Sequence, residues 1–157
     1  MNIIPMPPTK EQAYCWLFAR NQQKIGVHQS KGWCTQLRDE SPVFFDTEDK
    51  CVLILILLEL EPAAFERYLV DASSAVPEYA NSIKRFPLMK LLKHAFNQSV
   101  SDYWPEKALL WMNAKPDLQR PLASELEHMM HNKAMSQSLR HRIRRMLREL
   151  QRATAPV

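Results

Sequence analysis

A chain of 157 residues with 46% hydrophobic content is long enough for one domain with a substantial core. It has two glycines, Gly26 and Gly32, against a usual share of about 7%. That argues against a β-sandwich or barrel rich in tight turns and against a glycine-rich phosphate loop. The net charge of +4 is uneven: residues 1–119 carry 13 Lys/Arg against 14 Asp/Glu, and residues 120–157 carry 8 against 3. An anionic partner is therefore to be sought at the C-terminal end.

Residues 1–8, with Pro5, Pro7 and Pro8, read as an extended leader. No basic start followed by an apolar run marks a secretory signal. Thr9 and Gln12 have the spacing of a capping box. They predict a helix to about Gln23, with Ala13, Trp16 and Leu17 on one stripe. Residues 26–45 are weakly patterned. A short helix over Ser30–Arg38 is expected to bury Trp33 and Leu37, with Ser41-Pro42 as its break.

The run Cys51–Leu58, CVLILILL, is the chain's longest unbroken apolar stretch. Periodicity cannot assign it to strand or helix, but its flanks favour helix. Asp46-Thr47-Glu48-Asp49 supplies a cap and acids for the first turn, and no turn signal intervenes before Pro62. A helix of about 14 residues is predicted, too short to span a bilayer.

Beyond Pro62 the prolines punctuate. Proline is tolerated in a first turn, where the N–H groups have no intrahelical partner. Helices are predicted to open at Pro62, Pro77 and Pro87, near Ser101-Asp102, at Pro121 and at Ser136, the last running to about Arg152. The expected fold is all-α: seven or eight short helices in an irregular bundle or a HEAT-like αα array. Residues 9–152 form a single helical domain in this reading, and 153–157 a disordered tail.

The last helix carries the most chemical information. At 100° per residue, Leu139, Ile143, Met146, Leu147 and Leu150 fall on one stripe. Arg140, Arg142, Arg144, Arg145, Arg148 and Arg152, with His141, cover the opposite arc. Guanidinium forks pair bidentately with carboxylate or phosphate, so these six arginines are the candidate anion- or partner-binding residues. The competing reading is a solvated face paired with Glu59, Glu61 or Glu66. No glycine-containing turn precedes the helix and no aromatics interleave with the arginines. Groove reading and base stacking by this helix are therefore not indicated.

Weaker candidates are set aside on their spacing. Glu125, His128 and His131 match no zinc signature, so no metal is assigned. His28 and Cys34 lack the orienting groups of a nucleophilic pair. Tyr103, Trp104 and Trp111 read as core. The cysteines, Cys15, Cys34 and Cys51, are odd in number and widely spaced, which indicates reduced thiols in a cytoplasmic protein.

The sequence thus leads to a non-catalytic protein, without cofactor, that binds another macromolecule through an exposed helical face. A protein partner is favoured, as for an adaptor, a regulator or a toxin-neutralising immunity protein. A nucleic-acid-binding accessory protein using the arginine helix is the alternative. An enzyme with a site in residues 26–45 ranks third.

Overall fold

The computed structural model describes residues 2–154 and divides into two compact units, Met1–Leu91 and Leu92–Val157. The first unit begins with a five-stranded antiparallel meander, β1 (Ile4–Glu11), β2 (Tyr14–Arg20), β3 (Gln23–His28), β4 (Gly32–Leu37) and β5 (Val43–Phe44), in spatial order β1-β2-β3-β4-β5. The fold is mixed α/β, not all-α, and neither the helical bundle nor the HEAT-like array exists.

The helix expected from Thr9 to about Gln23 is instead the end of β1, all of β2 and the two flanking turns. Its helical look has a structural cause. A bulge between Trp16 and Phe18 inserts a residue opposite β3, so Cys15, Trp16, Leu17 and Phe18 are all buried and the period-two alternation is lost. The helix expected over Ser30–Arg38 is the β3–β4 turn and β4. Trp33 and Leu37 are four apart, a spacing that puts two residues on one face of a strand as well as of a helix.

The turns of the sheet largely do without glycine. Gln12, Asn21 and Arg38 take positive φ of 57°, 50° and 52°, leaving only Gly32, at 86°, as a turn glycine. Gly26 serves a different purpose. A Cβ there would lie 2.1 Å from the Cys15 carbonyl oxygen and 2.8 Å from Trp16 Cα, so β2 and β3 approach too closely at the bulge for any side chain.

The sheet's two faces differ. Phe18, Ile25, Val27, Trp33 and Thr35 face the helical layer. There Phe18 stacks on Phe65, and the Trp33 indole N–H donates to the Ile83 carbonyl at 3.1 Å. The other face carries Tyr14, Trp16, Lys24, His28, Cys34 and Phe44, neighbours through the rungs Tyr14↔His28, Trp16↔Gly26 and Cys34↔Phe44.

The apolar run, expected as an α-helix, winds in 3-10 turns over Glu48–Glu59. Ile54, Leu57 and Cys51 are buried, but Val52 is exposed, so the segment is not enclosed on all sides. The Leu53 carbonyl accepts from the Gln23 side chain at 2.8 Å, tying the run to β3. Next comes α1 (Pro62–Ala75), opened by Pro62 and capped by the Glu61 carboxylate, which accepts from the Ala63 and Ala64 amides at 3.1 and 2.8 Å. The Tyr68 hydroxyl on α1 donates toward the Met6 and Leu17 carbonyls at 2.5 and 2.7 Å. It fastens α1 to β1 and β2. A 3-10 turn from Pro77 to Tyr79 leads into the short α2 (Ala80–Ile83).

From Leu88 to Asn97 runs α3, which crosses the boundary at Leu91. The second unit continues with α4 (Tyr103–Ala114), α5 (Ala123–Met130) and α6 (Gln137–Thr154). Pro105 sits in the first turn of α4, and Lys115-Pro116 ends it. Ser136 caps α6, its hydroxyl accepting from the Leu139 amide at 3.1 Å. Ala153 and Thr154 continue α6, and the rest of the expected 153–157 tail lies outside the described residues.

Candidate arginine surface on the last helix

Helix α6 is amphipathic for a simple reason: its apolar residues recur at three and four. Leu139, Ile143 and Leu147 are buried, Met146 and Leu150 half-buried, and the helix docks through this stripe against α5. The remaining arc carries the charges, but the six expected arginines do not form one uniform surface.

Arg144, Arg145 and Arg148, with His141, line an open concavity of about 310 Å³. All four of its lining side chains are basic types, and no carboxylate is among them. Arg145 also borders a neighbouring hollow of about 230 Å³, where Leu109 and Asn113 of α4 meet Arg142, Met146 and Glu149. Arg142 belongs to that side, and its guanidinium donates to Glu106 Oε1 on α4 at 2.7 Å. Both side chains are roughly half exposed, so the pair contributes only about 0–1 kcal/mol. Its main effect is to withdraw one positive charge from the arc.

Arg140 is half-buried, and its Nε is enclosed without a protein partner among the described residues. Arg152 lies exposed in the last turn, where a cation complements the helix dipole. Among the described residues, the pair with Glu106 is the arc's only ion pair. Glu61, one of the acids expected to neutralise the arc, instead caps α1.

His141 completes the concavity although it stands outside the six arginines. It follows Arg140 in sequence, and only the helical projection places it next to Arg144, Arg145 and Arg148. The partners contributed by α4, Glu106, Leu109 and Asn113, carry no sequence signal, because they depend on how α4 and α6 meet.

The weaker candidates disperse. Among the described residues no group of three His, Cys, Asp or Glu side chains could hold a metal ion, so Glu125, His128 and His131 do not assemble. His28 Nδ1 accepts from the Ser30 and Lys31 amides at 3.0 and 3.1 Å, which commits it to the β3–β4 turn. Burial pushes the Cys34 thiol up to about 12, the opposite of an activated nucleophile. Trp111 is buried, Trp104 half-buried and Tyr103 exposed, so only part of that aromatic set is core. Among the described residues no helix is long and apolar enough to cross a membrane.

No protein-family model matches this chain, and neither a curated protein nor a solved structure does.

Proposed function

We propose that this is a non-catalytic cytoplasmic protein that receives an acidic protein partner on α6, as an adaptor, regulator or toxin-neutralising immunity protein does. One observation carries the reading. The concavity formed by His141, Arg144, Arg145 and Arg148 gathers basic side chains with no lining carboxylate, although the protein has 17 acidic residues to supply one. Carboxylates of a partner satisfy guanidinium forks in the same bidentate way. The three free, buried thiols suit a reducing compartment.

Phosphate contact with nucleic acid through the same arginines is the alternative. It is less favoured because the concavity has no aromatic side chain on which a single-stranded base would stack and no glycine-containing turn precedes α6 to make a groove-reading motif. The variant Arg144→Gln/Arg145→Gln/Arg148→Gln separates the two. With a fluorescent polyglutamate peptide and a 20-base-pair duplex as probes, the native protein should bind the peptide and the variant should lose it. The thermal midpoint should stay within a few degrees, because these side chains point away from the apolar stripe. Duplex binding lost in the variant, with log K falling by about 0.9 per phosphate against log salt, selects the nucleic-acid reading. If neither probe responds, the arginines are a solvated face.

A further inference from the structure

The sheet face opposite the helical layer holds a second set of chemistry, within the first unit. Tyr14 stacks on Trp16 with ring centroids 5.4 Å apart. His28 meets Tyr14 edge-on at 5.0 Å, and Phe44 meets His28 at 6.0 Å. The rings form a continuous row from β2 through β3 to β5. Trp16 is buried and supports the row, while Tyr14, His28 and Phe44 keep part of their surface in solvent. The His28 ring is fixed by the two amides donating to Nδ1, which leaves Nε2 as the protonated nitrogen of the neutral ring.

The charges at the two ends of the row differ. At the Trp16 end, Lys24 lies over the indole and is paired with Glu11 at 3.3 Å, and Glu11 also accepts from the indole N–H. That end is neutralised. At the Phe44 end, Lys31 lies 5.8 Å from the ring centre, and the row ends beside a cleft of about 270 Å³ at the sheet edge, lined by Lys31, Arg85 and Lys90 together with Phe44 from this face and Trp33 from the opposite one. The one acid lining the cleft, Asp46, is already paired with Lys50 at 2.7 Å. Lys90 is held in place by the Phe45 and Asp46 carbonyls, both at 3.2 Å.

We propose that this face binds single-stranded nucleic acid, with a phosphate in the Lys31–Arg85–Lys90 cleft and successive bases against Phe44, His28 and Tyr14. Partly exposed rings at one end of which cations collect are what a flexible polyanion with flat apolar bases requires. A duplex cannot use them, because its bases are already stacked on one another. An acidic peptide would satisfy the cations and leave the rings unused.

Fluorescence anisotropy with the full-length protein tests this, using a labelled twelve-nucleotide oligo(dT), the same strand with abasic positions, and a twelve-base-pair duplex. The intact strand should bind at least about tenfold more tightly than the abasic strand, in keeping with the usual contribution of a stacked base. Phe44→Leu, which keeps an apolar side chain and removes the ring, should reduce that preference. Lys31→Gln/Arg85→Gln should weaken intact and abasic strands alike, by roughly tenfold, and lower the salt dependence. Both variants should keep the native thermal midpoint to within a few degrees. The α6 triple variant should leave oligo(dT) affinity unchanged, so this result and that for the arginine surface are read separately. Equal binding of intact and abasic strands, tighter binding of the duplex, or loss of oligo(dT) only in the α6 variant overturns the proposal.

Discussion

Replacing each glycine by alanine separates two physical reasons for glycine within one sheet. At Gly26 the new Cβ would stand 2.1 Å from the Cys15 carbonyl oxygen, 2.8 Å from Trp16 Cα and 3.0 Å from the Cys15 carbonyl carbon. All three atoms are backbone, so no side chain can rotate away. Restoring an ordinary contact requires β2 and β3 to part by about 1 Å at the bulge, a shift that exceeds what well-packed interiors absorb without loss. Overpacking costs about 1–3 kcal/mol, and each weakened ladder bond adds about 0.5–1.5 kcal/mol. We expect Gly26→Ala to lose roughly 3–5 kcal/mol, a large share of the 5–15 kcal/mol typical of a folded protein. At Gly32 nothing lies within 4 Å of the new Cβ, and only its φ of 86° is unfavourable. Gly32→Ala should therefore cost about 1–2 kcal/mol, and Gly32→Asn less, since asparagine tolerates that region. Urea unfolding combined with amide hydrogen exchange over β2 and β3 measures both. If Gly26→Ala proves no more costly than Gly32→Ala, the close approach of the two strands is wrong.

Three further outcomes are expected. Burial pushes the Cys34 thiol up to about 12 and the Cys51 thiol up to about 11. In each the folded value lies above the unfolded one, so this stability is fully present below about pH 9 and is lost as pH rises toward the folded values. The loss approaches about 1.4 kcal/mol per pH unit for each thiol, and Cys34→Ala/Cys51→Ala should flatten the alkaline limb of a stability–pH curve. Tyr68→Phe removes the hydroxyl shared between the Met6 and Leu17 carbonyls, and denaturant titration should show a loss of about 0.5–1.5 kcal/mol. Glu61→Ala removes the carboxylate that accepts from the Ala63 and Ala64 amides, and thermal melting should report a loss of about 0.5–2 kcal/mol.

The chain from Pro62 onward is legible because its punctuation acts locally. Pro62, Lys115-Pro116 and Ser136 mark helix ends through missing donors and a capping hydroxyl, and each lies at or next to an observed boundary. Asp102 also stands at the start of α4, but its carboxylate accepts from the Ser136 amide at 2.9 Å and does not cap that helix. The sheet was not legible, for reasons that also lie in particular residues. The bulge at Trp16–Phe18 erases alternation in β2, the Trp33–Leu37 spacing suits either period, and three turns place Gln12, Asn21 and Arg38 where glycine is the usual signal. The apolar character of Cys51–Leu58 is plain in the sequence, but its 3-10 winding in place of the expected α-helix has no counterpart in composition. For the arginine helix, sequence showed which residues share an arc. That Arg142 turns to Glu106 while Arg144, Arg145 and Arg148 gather around His141 depends on tertiary neighbours.

The ends of the meander bear on how this protein behaves in a crowded solution. One boundary strand, β1, contains Pro5, Pro7 and Pro8, so three of its eight residues offer no amide hydrogen to an incoming chain. The other, β5, is two residues long and presents almost no ladder. An exposed strand is ordinarily a template on which another molecule can grow a shared sheet, and proline and shortness are recognised guards against it. Both sides of this sheet are therefore closed to backbone recruitment. Association by sheet extension is disfavoured, and substituting the three prolines would restore amide donors along β1.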